Sequence, residues 1–113
     1  MRRITVVVAL CMLAGMAEAH SVTDFTDPVD GAVLEFPPEA ITLRFDNAIR
    51  LTRVEVTHVD AGSEKLDLTA FESFAKEFVF PLTPLGEGRY EIVWRGLGED
   101  GHAMKGRFGF EVK

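Results

Sequence analysis

Cysteine is nearly absent from this chain of 113 residues, because its single cysteine is Cys11. Cys11 lies in an apolar run, Ile4 to Met16, that follows the basic pair Arg2 and Arg3. No Leu-x-Gly-Cys-like lipobox surrounds this cysteine, so we expect no lipid anchor. A chain with one cysteine forms no internal disulfide and offers no cluster of thiolates to a metal ion.

Long hydrophobic runs are also missing. The apolar run spans about 13 residues, whereas a membrane-spanning helix needs roughly 20. It ends at Ala17-Glu18-Ala19, which has the Ala-x-Ala pattern of a signal-peptidase site. The sequence therefore predicts a secretory signal peptide over residues 1–19 and a single mature domain over residues 20–113.

Positive charge is scarce in the predicted mature domain. Cleavage after Ala19 removes two of the twelve basic residues and one of the eighteen acidic residues, which leaves 94 residues with a net charge of −7. An acidic surface disfavours binding to nucleic acid and to anionic membranes. We therefore expect an exported, soluble domain with no nucleic-acid partner.

Alternating apolar and polar residues predict β-strands. Four segments show this period of two: Ile41 to Phe45, Val54 to Val56, Tyr90 to Trp94 and Phe108 to Val112. Turn signals such as Asp30-Gly31 and Gly86-Glu87-Gly88 separate them. About seven short strands at this spacing predict an antiparallel β-sandwich.

The segment between these strands carries conflicting signals. Phe71, Phe74 and Phe78 follow a helical spacing, but Pro81 would interrupt a helix. We therefore predict a strand from Glu77 to Phe80, preceded by one helical turn near Glu72.

Removal of the signal peptide would make His20 the first residue of the mature chain. The α-amine and the imidazole Nδ1 of an N-terminal histidine can close a six-membered chelate on one metal ion. An N-terminal extension would convert the amine to an amide and abolish half of that chelate.

The other candidate ligands lie in the turn-like segment Glu99-Asp100-Gly101-His102. Asp100 and His102 leave an extended backbone on the same side, and Gly101 lets the backbone bend between them. Together with His20 they offer three nitrogens and one oxygen, a set that favours one Cu(II) ion over Ni(II) or Zn(II). Met104 is the only methionine outside the signal peptide. One thioether is too few for a Cu(I) site, which normally uses several soft sulfur ligands.

The same residues also suit simpler interpretations. An Asp-x-His pair in a glycine-containing turn can be only a hydrogen-bonded turn, and an N-terminal histidine can be an accident of processing. Spacing alone leaves these alternatives open. We interpret His58 as a surface histidine, Met104 and Trp94 as core residues, and none of the three as a ligand.

The chain resembles the copper-resistance protein C (CopC) family of periplasmic copper-binding proteins. The resemblance covers nearly all of the mature domain. The matching segments are Ala19-His20, Thr26 to Gly31, Pro38 to Phe45, Pro84 to Arg95 and Glu99 to Val112. The last two carry a fairly specific progression, in which Tyr90, Trp94 and Arg95 precede Asp100-Gly101-His102.

The resemblance implies a seven-stranded antiparallel Greek-key β-sandwich with Ig-like, cupredoxin-like topology. It also implies a periplasmic, non-enzymatic monomer that takes part in copper homeostasis or resistance. Carried over by position, the family's ligands for one Cu(II) are His20, Asp100 and His102. The implied partner is an inner-membrane copper transport protein of the CopD type.

Two departures from the family pattern concern the site. The methionine-rich Cu(I) site of some members is missing here. Asn47 stands where some members carry a carboxylate near the copper, and we expect it in a solvated loop.

Two other functions fit some of these features. One is a small copper oxidoreductase with a histidine brace, similar to lytic polysaccharide monooxygenases. The other is an Ig-like adhesion or assembly module in which the histidines are incidental.

Overall fold

The computed structural model describes residues 23–113, so the predicted signal peptide and His20 lie outside the described residues. The described part contains seven β-strands and one short 3-10 helix. The strands are β1 (Thr23–Asp27), β2 (Ala32–Leu34), β3 (Ala40–His58), β4 (Gly62–Lys65), β5 (Ala75–Pro81), β6 (Gly88–Gly98) and β7 (Ala103–Val112). Within residues 23–113 no helix is long and apolar enough to cross a membrane.

Strand β3 is the longest, with 19 residues, and it changes partners along its length. Its first part, Ala40 to Arg44, pairs with β5, and β1 lies along its other edge. From Ile49 to His58 it pairs with β6, and β4 joins its last four residues. Strand β3 therefore contains two segments that the sequence predicted as separate strands, Ile41 to Phe45 and Val54 to Val56.

The hydrophobic core lies between the strands that pair with the first part of β3 and the strands that pair with its second part. The inward-facing residues alternate along β3, β5, β6 and β7, as the period-two patterns predict. Trp94 on β6 is fully buried, and its ring lies edge-on to that of Phe45 on β3, with 5.0 Å between the ring centroids. Within residues 23–113 no hydrogen-bond partner reaches Trp94 Nε1, so packing alone holds the ring. The predicted fold class, a β-sandwich with Trp94 in its core, is confirmed.

One pairing departs from the predicted antiparallel arrangement. Strand β2 runs parallel to β7, so the antiparallel prediction is wrong for this pair and the sheet is mixed. The loop before β2 is attached to β7: Asp30 Oδ1 accepts a hydrogen bond from Gly109 N–H at 2.9 Å, and Gly31 N–H donates to Gly109 O at 2.7 Å. These contacts place the start of β2 beside Gly109, and from there β2 runs with β7 toward the C-terminal end of that strand.

The ambiguous segment resolves as a short helical turn followed by a strand. The 3-10 helix covers Thr69–Phe71, slightly before the predicted position near Glu72. Strand β5 contains the predicted strand from Glu77 to Phe80 and ends at Pro81. In the described sheet β5 pairs with β3 alone, so Pro81 sits on an edge strand, where a missing N–H is tolerated.

His58 is buried, with 3% of its surface exposed, so its interpretation as a surface histidine is wrong. The ring faces inward because His58 continues the alternation of Val54 and Val56 on β3. Its Nε2–H donates to the carbonyl of Glu87 at 2.8 Å, and Nδ1 accepts from Asp60 N–H at 3.3 Å. These contacts join the end of β3 to the loop before β6.

Replacing Gly106 by alanine should destabilise the domain. A Cβ atom at Gly106 would lie 2.7 Å from three ring atoms of Trp94, and this ring is fully buried. Overpacking of this kind costs about 1–3 kcal/mol. Denaturant unfolding followed by Trp94 fluorescence measures the change.

Lys105→Ala is the matched control, because Lys105 is the neighbouring residue on the solvent-facing side of β7. Its unfolding midpoint should stay close to that of the unmodified chain. Equal midpoints for Gly106→Ala and the unmodified chain would contradict the tight packing of Trp94 on β7.

Candidate metal centre

The turn between β6 and β7 is a tight hairpin loop built around two glycines. Gly98 ends β6, and its N–H donates to the carbonyl of His102 at 2.9 Å. Gly101 N–H donates to the carbonyl of Gly98, also at 2.9 Å. Gly101 has a φ of 84°, a conformation that residues with a Cβ rarely adopt. The bend predicted at Gly101 is therefore present.

Asp100 and His102 contact each other directly in this turn. Asp100 Oδ2 lies 2.7 Å from His102 Nδ1, and Asp100 Oδ1 accepts the backbone N–H of His102 at 3.0 Å. The side chains remain 65% and 85% exposed, respectively. The structure therefore contains the hydrogen-bonded turn that was one of the alternatives from the sequence. This turn exposes the side chains of Asp100 and His102 to solvent.

The contact between Asp100 and His102 shifts the pKa values of these two side chains in opposite directions. The hydrogen bond from His102, followed by its backbone N–H, lowers the pKa of the Asp100 carboxyl. The hydrogen bond to Asp100, reinforced by its negative charge, raises the pKa of the His102 imidazole. The pair therefore favours the charged state of each partner.

The arrangement leaves donor atoms available to a metal ion. When the neutral His102 ring donates through Nδ1–H to Asp100, its lone pair is on Nε2, which faces outward with the exposed ring. A carboxylate that orients an imidazole in this way is common around metal sites. Each carboxylate oxygen also keeps lone pairs beyond the one used here, so Asp100 can still act as a ligand itself.

Gly98 also shapes the site, although its role escaped the sequence reasoning. A Cβ atom at this position would lie 2.8 Å from Asp100 Oδ1 and 3.6 Å from Met104 Sδ. A larger residue at this position would therefore displace the exposed carboxylate of Asp100. The sequence contained one signal for this role, namely a second glycine three residues before Gly101, at the end of an alternating strand. Met104 is partly buried against the core, as predicted.

The remaining candidates are distributed as follows. His20 lies outside the described residues, and within residues 23–113 no group of three or more His, Cys, Asp or Glu side chains is arranged to hold a metal ion. His58 pairs with Tyr90, at the opposite end of β6 from the turn. Asn47 is exposed as expected, but it lies within β3 rather than in a loop.

The described chain begins at the end of the domain that carries the turn. Thr23, the first residue of β1, pairs with Phe45 on β3. Gly98, the last residue before the turn, pairs with Ile49 on the same strand. Four residues of an extended strand span about 13 Å. The start of β1 and the Asp100–His102 turn therefore both flank the Phe45–Ile49 segment of β3.

Comparison with known proteins identifies relatives over most of the chain. The family model described as CopC domain matches residues 23–113. The chain is 29% identical to copper resistance protein C of Xanthomonas campestris pv. juglandis, over 96% of this chain and 91% of that protein. It is also 29% identical to protein YobA of Escherichia coli strain K12, over 84% of this chain and 80% of that protein.

Solved structures show the same fold. CopC from Methylosinus trichosporium OB3b superposes with a TM-score of 0.62 at 18% identity, over 79% of this chain and 89% of that chain. PcoC, a copper resistance protein from Escherichia coli, gives a TM-score of 0.56 at 23% identity, over 82% of this chain and 100% of that chain. At these identities the likeness concerns the fold.

In the metal-free protein, the His102 ring should titrate above the ordinary histidine pKa of 6.5, because Asp100 stabilises its protonated form. Asp100→Asn should move the pKa of His102 down toward that value, since a neutral amide stabilises imidazolium less. NMR titration of the imidazole C–H resonances measures both values. A proton on His102 competes with any metal, so metal affinity should decline as the pH falls through this raised pKa.

Glu99→Gln is the control, because it removes one negative charge from the same turn without touching the hydrogen bond. It should change the pKa of His102 less than Asp100→Asn does. Equal changes for the two variants would mean that the general charge of the turn, rather than the Asp100–His102 contact, controls this pKa.

Proposed function

The chain belongs to the CopC family, and from this premise we propose that it binds one Cu(II) ion in the periplasm. The ligands are the α-amine and imidazole of His20, the carboxylate of Asp100 and the imidazole of His102. Bound in this way, copper is sequestered or delivered as part of copper homeostasis or resistance. Removal of the signal peptide after Ala19 creates the first two donors.

The observation that carries the proposal is the common position of the N-terminal strand and the Asp100–His102 turn. Both flank the Phe45–Ile49 segment of β3. His20 precedes Thr23 by three residues, and three residues of extended chain reach about 10 Å. A processed chain of this length would allow the amine to approach the turn, which supports a shared site.

The donor chemistry supports Cu(II) in particular. Two imidazoles, an amine and a carboxylate are nitrogen and oxygen donors, which suit tetragonal Cu(II). Cu(I) prefers thioethers and thiolates, and the mature chain would contain one methionine and no cysteine. Copper should therefore be held in its oxidised state.

The relatives support a role in copper handling. Two of these relatives, copper resistance protein C and PcoC, are described as copper resistance proteins. We assign this chain to the same process as a monomeric carrier with no catalytic turnover. Its receiver or donor would be an inner-membrane copper transport protein of the CopD type.

The processed protein should bind one Cu(II) ion, and either of two changes should weaken binding strongly. One is a single residue added before His20, which removes the amine; the other is His102→Ala, which removes an imidazole. Each deletes a direct ligand, so each should cost more than the roughly 10–100-fold associated with loss of an outer-shell partner. Competitive Cu(II) titration, with mass spectrometry of the N-terminus, measures the effect.

His58→Ala is the control for this experiment, because it removes a histidine at the far end of β6. It should leave Cu(II) affinity and the EPR spectrum unchanged, while lowering stability through loss of the hydrogen bond to Glu87. Undiminished affinity after N-terminal extension would refute the proposed site. Tight Cu(I) binding would reveal a soft site that the proposal lacks.

The copper-loaded protein should show no oxidase activity on polysaccharides. With ascorbate, peroxide and chitin or cellulose it should release no oxidised oligosaccharides, because the carboxylate of Asp100 would occupy the copper position that oxygen needs. Mass spectrometry of the soluble products measures this, with an active polysaccharide monooxygenase as the positive control. Oxidised products from this chain, absent in His102→Ala, would assign it to the histidine-brace enzymes instead.

A further inference from the structure

Three cations lie side by side across the outer face of strands β3, β6 and β7. Arg53 on β3 pairs in register with Arg95 on β6, which in turn pairs with Lys105 on β7. All three are exposed, and the residues next to them, Val54 and Trp94, point into the core. We call Arg53, Arg95 and Lys105 the cationic row.

The row is unfavourable for the isolated domain. Like charges directly opposite each other on neighbouring strands destabilise a sheet. Arg53 is partly neutralised by Glu55, at 2.6 Å. Among the side chains of residues 25–113, none forms an ion pair with Arg95 or Lys105. No acidic side chain in that part of the domain therefore neutralises these two charges.

The neighbouring charges confine this excess to one end of the face. Arg107, one outward position further along β7, forms an ion pair with Glu91 at 2.9 Å. Beyond it, Arg89 lies opposite Glu111 in the register. Cations thus face anions in the far half of the outer face, whereas Arg95 faces Lys105 in the near half.

The near half is the end that carries the Asp100–His102 turn. Only three residues, Gly96 to Gly98, separate Arg95 from the turn, and Leu97 among them is exposed. The acidic groups of the turn are Glu99 and Asp100, and the carboxylate of Asp100 is directed at His102. The cationic row therefore borders the candidate metal site.

We propose that the cationic row is the docking surface for an acidic segment of a partner protein. Adjacent strands lie about 4.8 Å apart, so the row extends over about 10 Å. This length matches a short extended segment with two or three carboxylates. The rest of the chain is acidic, with a net charge of −6 for the whole sequence, so a local acidic segment fits better than an extended anionic membrane surface.

Docking at this row would position the partner beside the turn. The metal-transfer purpose of that position rests on the proposed copper function, whereas the docking itself requires only the charges of the sheet. Peptide binding to the metal-free protein therefore tests the docking alone. A Cu(II) titration of the same sample tests the copper function separately.

The experiment uses the protein exported and processed by its own signal peptide, without added metal. Fluorescence anisotropy measures binding of a labelled peptide with three glutamates at alternate positions, and NMR maps the residues contacted. A peptide with lysine in place of glutamate and vesicles of phosphatidylglycerol serve as comparison ligands. The test variant is the double substitution Arg95→Glu and Lys105→Glu.

The matched control is Arg89→Glu with Lys113→Glu, which makes the same charge change at the far end of the sheet. The test variant should lose about tenfold or more in affinity for the glutamate peptide, because two screened attractions become repulsions. The control should lose less than about threefold. Binding should weaken as salt is added, and shift changes should centre on the cationic row.

Equal loss in the test and control variants would overturn the proposal, since it would reflect net charge alone. Equal binding of the lysine peptide would overturn it as well. Vesicle binding without peptide binding would identify a membrane surface as the occupant and refute the acidic segment.

Discussion

The structure depends on one strand that belongs to both halves of the domain. Strand β3 pairs with β1 and β5 along its first part and with β6 and β4 along its second part. Because the chain is continuous through this change of partners, the two halves face each other across a common core. The contact between Phe45 and Trp94 closes that core, and it requires the missing side chain at Gly106.

The same strand brings the two ends of the candidate site together. Residues at one end of the Phe45–Ile49 segment pair with the start of β1, and residues at the other end pair with the last residue of β6. The start of β1 and the β6–β7 turn therefore both flank this segment of β3. His58, the other histidine that the sequence offers, is held at the opposite end by its contacts with Glu87 and Asp60.

The contact between Asp100 and His102 has two opposing consequences for metal binding. It fixes the orientation of the imidazole before a metal arrives, which lowers the entropy lost on binding. It also raises the pKa of the imidazole, so that protons compete with the metal more effectively. Metal affinity at such a site would therefore fall as the pH drops through the raised pKa of His102. Bound Cu(II) would add positive charge to the end of the sheet that already carries Arg95 and Lys105.

The amino-acid sequence determined the properties that depend on neighbours along the chain. Period-two alternation identified the inward faces of β3, β6 and β7, and Pro81 limited the strand that precedes it. The spacing of Asp100, Gly101 and His102 indicated two side chains that share one turn, and the turn has the predicted bend. The assignment of His20 to the metal site remains a prediction.

Only the tertiary structure decided the features that depend on pairing between distant segments. The continuity of β3, the parallel pairing of β2 with β7 and the burial of His58 arise from register and partner choice, which local alternation does not encode. The close approach of Gly98 to the Asp100 carboxylate and of Gly106 to the Trp94 ring became visible only in the folded chain. The cationic row has the same origin, because 42 positions of sequence separate Arg53 from Arg95, and only the pairing of β3 with β6 brings their charges together.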